Sequence, residues 1–112
     1  MVQYAHRDMN AAFSALADTT RRGILEQLGR HNASISDLAA RFGMTLTGIK
    51  KHVTVLEDAG LLTSEKVGRV RTCRLGPRQL GDETAWIQQY RRILEERLDS
   101  LGDFLERKGD LQ

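Results

Sequence analysis

The sequence predicts a mainly α fold carrying one small β-hairpin, and three observations predict it. Residues 36–60 read as two short capped helices joined at a glycine, and residues 61–75 as two strands folded about Gly68-Arg69. From about residue 82 to 108 the chain is free of proline and repeats apolar residues at helical spacing.

Taken in order, residues 1–8 show no clear pattern and are read as an arm. Met9, Ala12, Phe13, Leu16 and Ala17 share one helical stripe. Asp18 is placed to cap the next helix, in which Ile24, Leu25 and Leu28 point inward and Gly29 marks the end. Ser36 then caps a short helix, because a serine oxygen accepts from the free amides of a first turn. Gly43 ends that helix by taking the left-handed conformation that glycine tolerates. Thr45 caps a second helix whose apolar positions Ile49, Val53 and Leu56 recur at i, i+4 and i+7 until Gly60. Two helices joined in this way form a helix-turn-helix, whose second helix is shaped to enter a DNA major groove. In the hairpin, glycine at the first central position suits a two-residue type II′ turn, and Gly76-Pro77 closes it. The terminal helix is broken only mildly by Gly102, and no internal repeat or low-complexity linker is present.

The 112 residues allow one domain with a modest core, here residues 1–112, with the helix-turn-helix at about 36–59, the hairpin at about 61–75 and the terminal helix at about 82–108. The single cysteine, Cys73, rules out an intrachain disulfide and a multi-cysteine zinc site. It is expected to be a small buried hydrophobe, the alternative being a thiol switch. No apolar run is long enough to span a bilayer and no basic-then-apolar leader opens the chain, so a cytoplasmic protein with no membrane partner is expected. Net charge is only +2, but it is unevenly spread. Residues 41–78 hold eight Lys/Arg against three acids (+5), and residues 79–112 hold five against eight (−3). A basic middle beside an acidic tail is the footprint of a nucleic-acid face next to a different surface. No Gly-rich phosphate loop, nucleophile–base pair or carboxylate pair with an evident cleft supports an enzyme.

With Ile49, Val53 and Leu56 facing inward, Thr45, Leu46, Thr47, Lys50, Lys51 and Thr54 are left toward a groove or its rim. Lysines reach guanine acceptors or phosphates, threonines donate to either, and Leu46 can touch thymine methyls. His52 has two readings, a phosphate contact or a packing and capping role. A turn at Gly68-Arg69 sets Val67 against Val70 and Lys66 against Arg71. Directly opposed like charges destabilise an antiparallel pair, and a phosphate between them relieves the repulsion. Arg69 at the tip is placed to follow the backbone or enter the minor groove, while Arg74 lies on the other face beside Glu65. Arg21 and Arg22 occupy a first helical turn, where the dipole disfavours cations, so each needs a partner. An acid in the same domain is the expectation and phosphate the alternative.

On the terminal helix, Ile87, Tyr90, Leu94, Leu98, Leu101 and Leu105 follow at spacings of 3, 4, 4, 3 and 4, close to a heptad seam that Trp86, Ile93 and Phe104 widen. A symmetric two-helix interface, with Phe13 and Leu16 of the first helix alongside, is the natural way to cover it. Such a homodimer presents two groove helices about one DNA turn apart and asks for a near-palindromic operator. Arg91–Glu95 and Arg92–Glu96 read as solvent-face pairs.

The chain resembles the ArsR family of bacterial winged helix-turn-helix transcriptional regulators. The resemblance runs through Phe13-Ser14-Ala15-Leu16-Ala17-Asp18-Thr19-Thr20-Arg21-Arg22, Ile24-Leu25, Ser36-Asp37-Leu38-Ala39, Gly43-Met44-Thr45 and Lys51-His52-Val53. It continues through Val55-Leu56-Glu57-Asp58-Ala59-Gly60-Leu61, Gly68-Arg69-Val70-Arg71 and Leu75-Gly76-Pro77, covering about residues 10–77 closely. It departs at Thr19, where the family commonly has proline, at Gly48, often alanine, and at Lys50, more often serine. The resemblance implies a homodimer that binds operator DNA and usually represses, with helix 45–59 reading bases and wing 62–75 gripping phosphates. Many relatives sense metals through cysteine pairs or His/carboxylate sets on the terminal helix. Here Cys73 stands alone and no histidine follows His52, so a branch without metal or cofactor is expected. No motif specifies a small-molecule effector. The alternative class is a winged-helix protein-interaction module that does not bind DNA.

Overall fold

A computed structural model describes residues 2–110, with side chains from residue 8 to 107. Two compact units divide the chain, residues 1–80 and 81–112. In the first, helices α1 (Val2–Leu16) and α2 (Thr19–Arg30) lead into a short strand β1 (Ala33–Ser34). Helices α3 (Ile35–Phe42) and α4 (Leu46–Asp58) follow, then strands β2 (Leu62–Val67) and β3 (Val70–Leu75). The second unit is one helix, α5 (Gly81–Asp110), slightly longer than the expected 82–108. The expected arm is also helical, because α1 starts at Val2; residue 1 lies outside the described residues.

Helix boundaries follow local capping chemistry. Asp18 caps α2 by accepting the Arg21 N–H at 3.0 Å, and Thr45 caps α4 by accepting the Gly48 N–H at 3.0 Å. Gly43 closes α3 in the left-handed region at φ 61°. The α3 cap is Ser34, not the expected Ser36. Ser34 Oγ accepts the Asp37 N–H at 3.0 Å while the Asp37 carboxylate accepts the Ser34 N–H at 3.3 Å, a reciprocal capping box. Pairing explains the shift: Ser34 lies opposite Thr72 in an unexpected third strand, so its backbone is already extended when the helix starts. Gly29 likewise does not end α2, which runs on to Arg30 and is capped by His31. A helix interior tolerates glycine at a cost of about 1 kcal/mol.

The sheet order is β1-β3-β2, antiparallel throughout. Its hairpin has the expected register, Val67 against Val70 and Lys66 against Arg71. Gly68 has φ 63° and Arg69 does not share a positive φ, the sign pattern of a type II′ turn. Side chains of α2, α3, α4 and the sheet meet in one core in which Ile24, Leu38, Ile49, Val53, Leu56, Leu62 and Cys73 are fully buried. Each large aliphatic among them contributes about 1.5–3 kcal/mol relative to exposure. From α1, the buried stripe is Ala12 and Ala15 with Leu16 at its edge, rather than Phe13 and Ala17. Two close approaches hold the core tight. A Cβ on Gly23 would sit 2.8 Å from the Phe42 ring, and one on Gly76 would sit 2.4 Å from the Gly60 carbonyl oxygen. Leu80 takes φ 59°, which costs a non-glycine residue about 1–2 kcal/mol, and its side chain packs against the core in return.

The cap assignment sets a direct comparison. Ser34→Ala should cost about 1 kcal/mol in urea unfolding, whereas Ser36→Ala should stay within about 0.5 kcal/mol.

Candidate nucleic-acid interface

Helix α4 buries Ile49, Val53 and Leu56, so its opposite face is fixed outward. Thr45, Leu46, Thr47, Lys50, Lys51 and Thr54 all lie exposed there, joined by the apolar Val55, which the spacing argument missed although it repeats the 47/51 positions at i+4. Thr45 keeps its hydroxyl hydrogen while its oxygen caps the helix, but the Thr54 hydroxyl donates to the Lys50 carbonyl oxygen at 2.9 Å. Thr54 can therefore only accept from a partner.

Between α4 and the hairpin lies a groove of about 440 Å³. Leu46 and Lys50 form one wall, and Lys66, Arg69, Val70 and Arg71 form the other. Ser34, Ile35 and Ser36 close its end, so the first turn of α3 adds the partial positive charge of a helix N-terminus to four cations. Sequence reasoning missed this third wall because it depends on β1 bringing residues 33–36 against β3. Thr54 lies instead on an adjoining cleft of about 250 Å³ that shares Lys50 and Arg71 with the groove. Thr45, Thr47 and Lys51 line neither.

The wing side chains divide. Lys66 and Arg71 are opposed as expected, and the Arg71 guanidinium has a partner of its own: its Nη1 donates to Ser64 Oγ at 3.0 Å, and Ser64 Oγ donates to Glu57 Oε1 at 2.8 Å. Arg74 faces Thr63, not Glu65, and donates to Thr63 Oγ1 at 3.1 Å. Arg69 stands exposed at the tip, flanked by the exposed valines Val67 and Val70.

His52 points inward. Its Nδ1 accepts from Arg21 Nη1 at 3.2 Å and lies 3.8 Å from Asp18 Oδ2. The remaining donors of Arg21 reach backbone, Nε to the Ala15 carbonyl at 2.8 Å and Nη2 to the Ser14 carbonyl at 2.9 Å, while Arg22 Nη1 reaches the Leu16 carbonyl at 2.7 Å. An acidic side chain was expected as the partner of these arginines; instead their guanidinium groups reach backbone carbonyls at the C-terminal end of α1, which carries the negative end of that helix's dipole. The Arg21 N–H that Asp18 accepts holds the Asp18 carboxyl below the usual carboxylate range; desolvation opposes this and the nearby Arg21 guanidinium adds to it. Arg78 fastens α1 from the other side, donating to the Ala59 and Asp8 carbonyls at 3.1 and 2.9 Å.

Cys73 is buried in β3, and burial, reinforced by Glu57 and opposed by Arg71, pushes its thiol up to about 11. Among the described residues, no group of three or more His, Cys, Asp or Glu is placed to hold a metal ion, and no helix is long and apolar enough to cross a membrane.

Helix α5 exposes Trp86, Ile87, Tyr90, Ile93, Leu94, Leu98, Leu101, Phe104 and Leu105, each 43–64% exposed, in the expected heptad-like stripe. Trp86 and Tyr90 stack in parallel, with ring centres 5.6 Å apart. Arg91 and Glu95 pair at 3.9 Å on the solvent face. On α1, Phe13 and Leu16 are half-buried, and Leu16 packs against the core.

A helix-turn-helix domain family matches residues 16–65. Over 69 residues the chain is 42% identical to an uncharacterised HTH-type transcriptional regulator, YuzN, of Bacillus subtilis (strain 168), which spans 55% of this chain and 75% of that protein. Among solved structures, an ArsR-like transcriptional regulator from Rhodococcus sp. RHA1 superposes with a TM-score of 0.75 at 31% identity, covering 95% of this chain and 97% of that one. The chain belongs to the ArsR family. It is therefore a DNA-binding transcriptional regulator of the winged helix-turn-helix type and not an enzyme. The transcriptional repressor SdpR of the same Bacillus strain is a more distant relative, 28% identical over 82 residues that cover 73% of this chain and 91% of that protein.

In this ArsR-family regulator the buried Cys73 thiol should resist alkylation at neutral pH until the chain is unfolded. Its raised value also sets a pH window. An unfolded thiol ionises near 9.0, the folded one near 11, so stability is intact below pH 9 and falls as pH rises through that interval. Urea titrations of wild type and Cys73→Ala at pH 7, 9 and 10.5 should converge toward the alkaline end.

Proposed function

We propose that the protein is a homodimeric repressor that binds a near-palindromic operator, reading bases with residues 45–59 and gripping phosphates with the wing at 62–75. The observation that carries this reading is the groove where Lys50 of α4 faces Lys66, Arg69 and Arg71 of the wing. A lysine on a helix of groove-fitting exposure and three cations on a hairpin, one of them at its tip, match the division between base readout and backbone grip. Thr45, Leu46, Thr47 and Lys51 extend the base-reading face, and Thr54 serves as an acceptor at its rim. His52 belongs to the fold in this reading, because its ring is engaged by Arg21 and Asp18. The relation to the repressor SdpR supports repression as the outcome.

Dimerisation is carried by α5. An apolar stripe running from Trp86 to Leu105 along a helix of 30 residues is too broad to leave in water, and its near-heptad spacing suits an identical helix. A two-fold axis then relates two recognition helices and accounts for a near-palindromic site. No metal or cofactor enters this mechanism, and the cytoplasm is its natural place.

Fluorescence anisotropy with DNA from upstream of the protein's own gene, beside a scrambled duplex at two salt concentrations, tests the reading. Selective, salt-weakened binding to the upstream duplex is expected. Equal binding to both duplexes at every salt concentration would refute sequence reading of that site. Arg69→Ala should weaken all duplexes alike and reduce the salt slope by about one. Lys50→Ala should change the ranking of duplexes instead. In sedimentation equilibrium, Leu94→Asp together with Leu98→Asp should convert a dimer to a monomer; a wild-type monomer at micromolar concentration would remove the dimer from the proposal.

A further inference from the structure

Glu57 is an anomaly. It is an acid within the most basic segment of the chain, and it sits in the last turn of α4, where the helix dipole disfavours negative charge. Local preference does not account for it; a tertiary contact does. Its carboxylate accepts from Ser64 Oγ at 2.8 Å, and Ser64 Oγ accepts from Arg71 Nη1 at 3.0 Å. This relay joins the recognition helix to both strands of the wing through one hydroxyl. It also holds Arg71, the cross-strand neighbour of Lys66, where the groove and the adjoining cleft share it with Lys50. One of the five guanidinium donors is used in the relay, and the others are left for an anion.

We propose that Glu57 and Ser64 are positioning residues for DNA binding, holding the Arg71 guanidinium across the cleft between the recognition helix and the wing so that phosphate meets a preset cation. This deepens the proposed DNA-binding function and rests on it. Neither residue touches DNA in this scheme. Without the relay, Arg71 is a mobile side chain repelled by Lys66 and must be ordered when DNA binds, at a cost in affinity.

The sign of one effect separates this proposal from charge alone. Removing an acid near a phosphate backbone should tighten binding if Glu57 acts only through its charge. If it positions Arg71, Glu57→Ala should weaken binding. The full chain would be titrated into a fluorescein-labelled duplex of random sequence at low salt, so that no operator is needed. Glu57→Ala and Ser64→Ala are each expected to weaken binding about threefold to tenfold and to lower the salt slope. The double variant should lose no more than either single one. Ser64→Thr, which keeps the hydroxyl and suits a strand, should restore binding to near wild type. In an Arg71→Ala background, Glu57→Ala should no longer weaken it. Thermal unfolding of the same samples confirms that every variant is folded at the assay temperature. Glu57→Ala binding as tightly as wild type or tighter would overturn the proposal, as would equal weakening by Ser64→Ala and Ser64→Thr. Wild type failing to bind any duplex at low salt would overturn the DNA-binding face itself, and the relay with it.

Discussion

Burial of one face of α4 is the constraint on which the other features depend. Ile49, Val53 and Leu56 are removed from water against residues of α2, α3 and the sheet. Because a helix has a single rotational setting once three residues of its face are buried, the opposite residues have no freedom to be anywhere but outside. The direction of Lys50, Lys51 and Thr47 is therefore a consequence of core packing. The same packing brings β2, with β3 paired to it, against α4, so the wing leaves the core at a fixed place beside the recognition helix.

Arginines fasten this arrangement where helices end. Arg21 and Arg22 reach the last carbonyls of α1, and Arg78 spans the carbonyls of Asp8 and Ala59. Planar guanidinium groups suit this task because several donors emerge in one fork. Through Arg21 the network continues to His52 and Asp18, tying the start of α2 to the middle of the recognition helix. A cation in the first turn of α2 looks unfavourable when only that helix is considered. It becomes favourable once the negative end of α1 lies against it.

Charge on the proposed DNA-binding face is organised by the same economy of contacts. Four cations line one groove, and the repulsion this creates is partly relieved within the protein by Glu57 acting through Ser64. An isolated hairpin with Lys66 facing Arg71 would be strained. Attached to α4, one of the two is held by the helix and the other left exposed.

Much of this was legible in the residues themselves. Asp18, Thr45, Gly43 and the Gly68-Arg69 turn act through their immediate neighbours, so their positions announce their roles. The i, i+4, i+7 spacing of Ile49, Val53 and Leu56 likewise fixes a buried face without reference to what covers it. The cap of α3 was not legible in this way: spacing pointed to Ser36, and only the pairing of Ser34 with Thr72 and its reciprocal bonds with Asp37 set the cap two residues earlier. Tertiary structure alone decided the partners of Arg21 and Arg22, the inward turn of His52, and the relay from Glu57 to Arg71. Each joins residues from elements that sequence spacing does not relate, and a long side chain has many acceptors within reach until packing leaves only a few. Local chemistry thus determined the caps at Asp18 and Thr45, the stop at Gly43 and the wing turn, whereas the start of α3 and the orientation of charged side chains were set by the strands and the backbone and carboxylate oxygens that the packed core brought near them.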